Sequence, residues 1–385
     1  MKGIKVLALA CTIGYSGYAT AQTDSILNRI KISGSVDAYA RVNLNTYNRY
    51  YQSGDTDVIT PKTAFADKPG FALGMANVVA SYEGEKVGAV VDLVYGPRGE
   101  AAVFNAEGSS NIINQAYVYW KPNDKLTLTL GQFNTFVGYE VISPVGNFNY
   151  STSYMFSYGP FSHTGVKANY QINDNWSAMV AVMNPNDKTL FNGTGTYTVG
   201  GQLGYTKGSG KVFLNALYGD QDGKLDDDGS TVDDTSAGGT FQIDLNGGVG
   251  LGEKFYLGAD LTYLSTASGE VYTLTGIKDV DADAAGFWGA ALYTQYQASE
   301  KFGLGLRTEY FSEYEGGLGA LGVYDDGDAS VIDVTLTADV KLAKSLTIKP
   351  EIRYDFASEK IFADDKDGSL QKSLGSFLLA AVYKF

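Results

Sequence analysis

From Lys31 to the end of the chain, apolar and polar residues alternate one by one, segment after segment, and no other feature limits the fold so tightly. Successive side chains of a strand point to opposite faces, so a period of two reads as strands with one apolar and one polar face. In the first such segment Ile32, Val36, Ala38, Ala40, Val42 and Leu44 share a face, with Lys31, Ser33, Ser35, Asp37, Tyr39, Arg41 and Asn43 on the other. Later segments repeat the pattern. Phe241, Ile243 and Leu245 alternate with Gln242, Asp244 and Asn246, and Ile332, Val334 and Leu336 alternate with Asp333, Thr335 and Thr337. Beyond residue 22 no apolar run reaches the roughly 18 residues that a membrane helix needs. If the chain resides in a membrane, a closed barrel is therefore the one structure open to it.

Connection lengths set the strand number. Tight turns are expected at 83–85, 122–124, 173–175, 207–210, 252–253, 299–300 and 343–344, and between them lie longer stretches near 45–68, 96–110, 134–160, 184–195, 219–239, 266–283, 312–328 and 357–369. Seven short turns alternating with eight loops separate sixteen strands, with 14 to 18 the range the boundaries allow. The predicted fold is all-β: a transmembrane antiparallel β-barrel over residues 31–385, with short periplasmic turns and long outer loops. Closing it requires the last strand, which ends on Tyr383 and Phe385, to pair with the first. Trp120, Trp176, Tyr170, Phe255 and Phe302 near the turns, with Phe133, Tyr197, Tyr218, Tyr263, Tyr310 and Phe356 near the loop ends, read as two aromatic belts.

Composition agrees. Glycine (47), tyrosine (28) and phenylalanine (19) are abundant, whereas histidine and cysteine occur once each, which removes disulfide frameworks, Cys-rich zinc sites and most histidine-dependent catalysis. Residues 1–21 carry Lys2 and Lys5, an apolar run and the small-residue site Ala19-Thr20-Ala21, the pattern of a secretory signal peptide. Leu9-Ala10-Cys11 is a fragment of a lipid-attachment box, but Ala8 replaces its leucine and too few apolar residues precede the cysteine. Residues 22–30 would then form a periplasmic N-terminal segment, and loss of the two lysines takes the formal charge from −14 to −16, unsuited to nucleic acid.

The block Gly131-Gln132-Phe133-Asn134-Thr135-Phe136-Val137-Gly138-Tyr139-Glu140, then Asn147-Phe148-Asn149-Tyr150-Ser151-Thr152-Ser153 and Pro160-Phe161-Ser162-His163-Thr164-Gly165-Val166, resembles the putative beta-barrel porin-2 family of bacterial outer membranes. The ending Ala381-Val382-Tyr383-Lys384-Phe385 fits the same family. The resemblance implies a porin-like pore in a bacterium with two membranes and brings no catalytic motif.

Residues 134–160 form one of the longest connections, with Glu140 as its one charged side chain. Such a segment can fold inward and constrict the pore, as the third loop of general porins does, or pack on its neighbours outside. Arg41, Lys167, Arg307, Glu309, Arg353, Asp355 and Glu140 are the expected pore-lining residues. Rows of both signs on the inner wall either create a transverse field or pair across strands. Asp226, Asp227 and Asp228, within an acidic loop, are the weak candidates for Ca2+ or Mg2+; the acidic loops read first as solvated, mutually repelling segments, and no other cofactor is expected. His163 sits between Ser162 and Thr164, but an adjacent strand residue points the opposite way, so Ser162 cannot be its nucleophile.

The expected function is passive diffusion of small hydrophilic solutes or ions, cation-preferring if the acidic mouth governs entry. The alternatives are an outer-membrane lipid-modifying hydrolase and a non-conducting structural or adhesive barrel. Outer-membrane lipid, lipopolysaccharide and two further copies in a homotrimer are the expected partners.

Overall fold

The structure is a computed structural model; it describes residues 28–48, 51–53, 56–58, 63–104, 106, 108–223, 234–236, 238–273, 276–279, 284–315, 317, 319–321, 328–363 and 369–385. Residues 1–21, expected to be a signal peptide, and Asp226, Asp227 and Asp228 lie outside them. Sixteen strands close into one antiparallel barrel. They are β1 (Ile30–Asn43), β2 (Gly70–Glu83), β3 (Val87–Tyr95), β4 (Ile113–Asn123), β5 (Leu126–Asn134), β6 (Ser162–Gln171), β7 (Trp176–Met183) and β8 (Thr198–Lys207). The second half comprises β9 (Gly210–Gly219), β10 (Thr240–Leu251), β11 (Phe255–Thr266), β12 (Ala285–Ser299), β13 (Phe302–Tyr314), β14 (Ala329–Ala343), β15 (Leu346–Ala357) and β16 (Ser373–Lys384). Every strand pairs with its neighbours in sequence, and β16 closes on β1 with Val36 opposite Tyr383 and Val42 opposite Phe377. All seven expected turns and all eight longer connections fall between these strands.

The alternation becomes an outside and an inside. Val36 and Val42 on β1, Leu261 and Tyr263 on β11 and Ile332 and Leu336 on β14 are exposed large hydrophobics, whereas Asp37, Arg41, Asp260, Asp333 and Thr335 are buried. In a barrel the buried face is the interior, so the apolar face meets lipid. The tight turns are built from local chemistry. Asn123 and Asn173 accept hydrogen bonds from the backbone N–H groups two and three residues on, and Gly208 and Gly252 sit at φ 60° and 70°, where a side chain would be strained. Among the described residues no helix is long and apolar enough to cross a membrane; the helices present are short, α1 (Pro97–Ala102), α2 (Tyr154–Tyr158) and a 3-10 turn at Gly108–Ile112.

One belt residue is corrected. Trp120, Trp176, Tyr197 and Tyr218 point outward, but Phe133 is buried at 1% exposure on the inner face, packed against His163 and under the Lys167 ammonium. Between the polar Gln132 and Asn134 the ring takes the apolar position of the alternation, whereas its partner across the ladder, His163, fixes it inward.

Candidate functional site

The connection between β5 and β6, residues 135–161, leaves one wall of the barrel and is fastened to the opposite one. Gly138 and Tyr139 donate backbone N–H groups to Asp244 on β10 and Asp260 on β11, both at 3.1 Å. Tyr154 and Met155, at the start of α2, donate theirs to the two oxygens of Glu309 on β13 at 2.8 and 2.7 Å. Tyr150 and Ser151 do the same to Glu351 on β15 at 2.8 and 3.1 Å, and Lys349 on β15 donates to the Asn147 and Phe148 carbonyls at 3.1 and 2.7 Å. The Tyr150 hydroxyl completes the crossing by donating to Asp37 on β1. All these wall residues lie on the inward face, so the segment runs through the barrel interior.

Charge explains the fastening. Glu309, Asp333 and Asp355 are direct cross-strand neighbours on β13, β14 and β15, as are Arg307, Thr335 and Arg353. Three like charges in a row repel. The guanidiniums answer them: Arg307 pairs with Asp333 at 2.7 Å and with Glu140 of the loop at 2.8 Å, and Arg353 pairs with Asp333 at 2.9 Å and Asp355 at 2.8 Å. Arg307 also donates to the Ser151 carbonyl at 2.7 Å and Arg353 to that of Thr152 at 2.8 Å. Glu140 reaches back to cap its own loop, accepting from the Ser153 N–H and hydroxyl at 2.7 and 2.9 Å. Arg307, Arg353, Asp333 and Asp355 are all 0–2% exposed, so each charge depends on these partners.

Of the expected pore-lining residues, Glu140, Arg307, Glu309, Arg353 and Asp355 thus come together in one network beneath the loop. Arg41 does not join it; it is buried and donates to Asn43 and to the Ala66 carbonyl at 3.0 and 2.9 Å. Lys167 stands apart on β6, its ammonium 4.0 Å from the Phe133 ring centre. His163 is fully buried between Phe133 and Phe136, with Nε2 at 3.0 Å from the Thr135 hydroxyl and no partner on Nδ1. It therefore has no carboxylate to orient it as a base.

Two features escaped the sequence reading. Several inward glycines act as seats for loop side chains: an added Cβ would fall 2.2 Å from the Phe148 ring at Gly305, 2.6 Å from the Tyr139 hydroxyl at Gly258 and 2.5 Å from the Met155 sulfur at Gly289. Glycine at an inward strand position was the available signal, since it marks close approach of another group. The other is Arg98, the one basic residue of the 96–112 connection, which lies buried against the Phe65 and Tyr150 rings and donates to the Ile142 carbonyl at 2.8 Å.

On the side away from the fastened wall, a cavity of about 360 Å³ remains between the loop at Val141, Ile142 and Val145 and the inner faces of β1 to β5. Its wall is mixed, with Ser35, Asn77, Asp92, Asn114, Gln115 and Asn134 beside Met75, Val79 and Phe385. Asp92 accepts from the Asn77, Asn114 and Gln115 amides, while the Ser35 hydroxyl and the side-chain carbonyls of Asn114 and Asn134 have no partner. The arrangement offers hydrogen bonds to a hydrated solute and contains no nucleophile–base–carboxylate set.

Where the loop returns to the wall, Asp187 accepts from the Phe161 and Ser162 N–H groups at 2.9 and 2.8 Å. Although Asp187 keeps an edge toward solvent, its burial pushes the carboxyl up to about 7 against those bonds. Burial outweighs the two N–H bonds, which by themselves favour the ionised form, so the site is most stable with the carboxyl protonated, below the ordinary carboxylate range, and loses that stability as pH rises through about 7. The Phe161 and Ser162 amide NMR shifts should titrate with a midpoint near neutrality, and Asp187→Asn should abolish the titration; shifts that stay flat in the parent protein would refute it.

The comparisons follow from this geometry. OprB of Pseudomonas putida superposes with a TM-score of 0.57 at 11% identity, covering 96% of this chain and 97% of that one. An anion-selective porin from Comamonas acidovorans gives 0.56 at 10% identity, over 92% and 99% of the two chains. The outer-membrane channel DcaP of Acinetobacter baumannii gives 0.54 at 12%, over 92% and 97%. At these identities the likeness is one of fold. Comparison of the sequence with curated proteins found no match. The profile of the family described as "Putative beta-barrel porin-2, OmpL-like" matches residues 29–385, the whole of the barrel, and the chain belongs to that family.

Proposed function

We propose that this porin-family barrel sits in a bacterial outer membrane and passes small hydrophilic solutes by passive diffusion, with residues 135–161 narrowing the channel. The observation that carries this reading is the loop's course: it crosses the interior, is bound to the far wall by the buried Arg307–Glu140 ion pair and by backbone hydrogen bonds to Glu309 and Glu351, and leaves a cavity of about 360 Å³ with carboxamides in its wall beside it. Sixteen strands enclose more room than side chains alone can fill, and an interior lined by carboxamides and hydroxyls suits neutral hydrated solutes. The aspartate-rich outer connections, through their sequence charge, favour cations at the mouth. Lipopolysaccharide contacts and a homotrimer fit a barrel of this kind and belong to the same proposal.

Liposome swelling with sugars of graded size tests the function. Small sugars should enter and oligosaccharides should not; liposomes that swell with neither would indicate a structural barrel. In a salt gradient the reversal potential should have the cation-selective sign, and an anion-selective sign would overturn that part.

A further inference from the structure

The two ends of the barrel carry opposite charge. The eight outer connections, taken from the end of one strand to the start of the next, hold 26 acidic and 10 basic residues. At the other end the stretches 28–31, 83–86, 121–125, 172–175, 207–211, 252–254, 299–301, 341–345 and 384–385 hold 12 basic and 6 acidic ones. Opposite charge at the two openings of one pore sets up a field along its axis, which a single charged mouth does not.

The alternation turns six lysines of the periplasmic end into the lumen. Lys121 on β4 lies 5.2 Å from the ring centre of Tyr119, a ring that covers the inner side of Gly88. Lys384 on β16 stands opposite the buried Ser35 and borders the cavity beside the loop. Lys211 on β9 and Lys341 on β14 are next to Val212 and Leu342, which are exposed on the lipid side, so both lysines take the inner face. Lys254 and Lys301 extend the ladders just ahead of the outward Phe255 and Phe302; their carbonyls accept from Gln297 N at 2.7 Å and Lys341 N at 2.9 Å. Lys301 and Lys341 are therefore direct cross-strand neighbours of like charge, an arrangement that costs stability. Among the described residues none of the six is in an ion pair; the pairs formed at this end are Arg29–Glu85 and Lys31–Glu83. Asp124, Asp174, Glu253 and Glu300 sit in the tight turns themselves, beyond the inner wall. The charge of the lysine ring is thus free to act on the lumen.

We infer that the channel is bipolar: an acidic outer mouth that gathers cations and a lysine-ringed periplasmic exit that gathers anions make it pass current more easily in one direction. The inference rests on the open channel proposed above. With the outer side positive, cations enter through the acidic mouth and anions through the lysine ring. Each ion comes in at the end that attracts it, and carriers accumulate inside. Reversing the voltage makes each enter at the end that repels it, and the interior is depleted. The effect depends on how far the charges reach into the opening, about 10 Å at 0.1 M salt but about 3 Å at 1 M.

The test is planar-bilayer recording of the refolded protein in symmetric KCl, followed by salt gradients in both directions across the same channel. At about 0.1 M salt the current should be about twofold larger at one polarity, and the ratio should return to one at about 1 M. The side that is positive in the high-current direction should also be the side whose dilution gives the larger cation preference, because the more dilute end is the less screened. Changing Lys211, Lys301 and Lys341 together to Gln should remove most of the rectification and most of the dependence on gradient direction. A straight current–voltage line at low salt, or a triple variant that rectifies as the parent does, would overturn the inference and leave the passive channel standing. A protein that forms no conducting pores would overturn both. If the triple variant fails to refold, the parent decides: rectification that persists at high salt has a cause other than charge and would sink the bipolar channel.

Discussion

Deletion of residues 146–158 is expected to raise single-channel conductance in a planar bilayer several-fold. That segment carries Phe148, which rests on Gly305, Tyr150, which reaches Asp37, and the α2 N–H groups that bind Glu309. Removing it opens the part of the interior now filled by its rings and backbone, and leaves the strand ladder of the barrel untouched. Arg307, Arg353, Glu309 and Asp355 would then face water, which solvates them in place of the loop. Their exposure should also make conductance depend more steeply on ionic strength, because newly wetted charges are screened by salt. An unchanged conductance would mean that ions take a path the loop does not border, and the constriction would have to be abandoned.

Arg307→Ala should produce the largest loss of stability of any single substitution in the interior. It deletes both the bond to Glu140 at 2.8 Å and that to Asp333 at 2.7 Å, and frees the Ser151 carbonyl. Asp333 keeps Arg353, but Glu140 loses its cation. Stripping one partner from a buried pair typically costs about 3–5 kcal/mol. The measurement is the temperature at which the folded, fast-migrating form disappears from a mild-detergent gel. Glu140→Gln should be milder, since the amide oxygen can still accept from Ser153. Combining it with Arg307→Ala should cost less than the sum of the two, because the uncompensated carboxylate is gone. A drop no larger than that of a surface substitution, about 0.5 kcal/mol, would show that the loop is held by packing alone.

The barrel itself was legible because its causes are local. Lipid on one side and water on the other impose a choice on each residue of a strand, and that choice leaves a period of two in segments such as those around Val36 and Ile332. The face reading failed at Phe133, where both environments are apolar: an inner ring packed on His163 has the same composition as an outer ring in lipid. The candidate site was half legible. Alternation placed Arg307, Glu309, Arg353 and Asp355 inward, and the low charge of 134–160 singled out that connection. Its landing place was not readable, nor were the roles of Asp333 as the bridge between two arginines, of Arg98 beneath Tyr150, or of the seats at Gly258, Gly289 and Gly305.

The amino-acid order alone therefore determined the strands, their connections and, Phe133 apart, the faces read from it, since each of these answers to neighbours a few positions away. The closed form decided which inner charges meet. Residues 140 and 307, or 150 and 351, approach only after the sheet has curled and its stagger has brought opposite walls to a common height. That geometry arises from the whole ring of hydrogen bonds at once, and no window of sequence contains it.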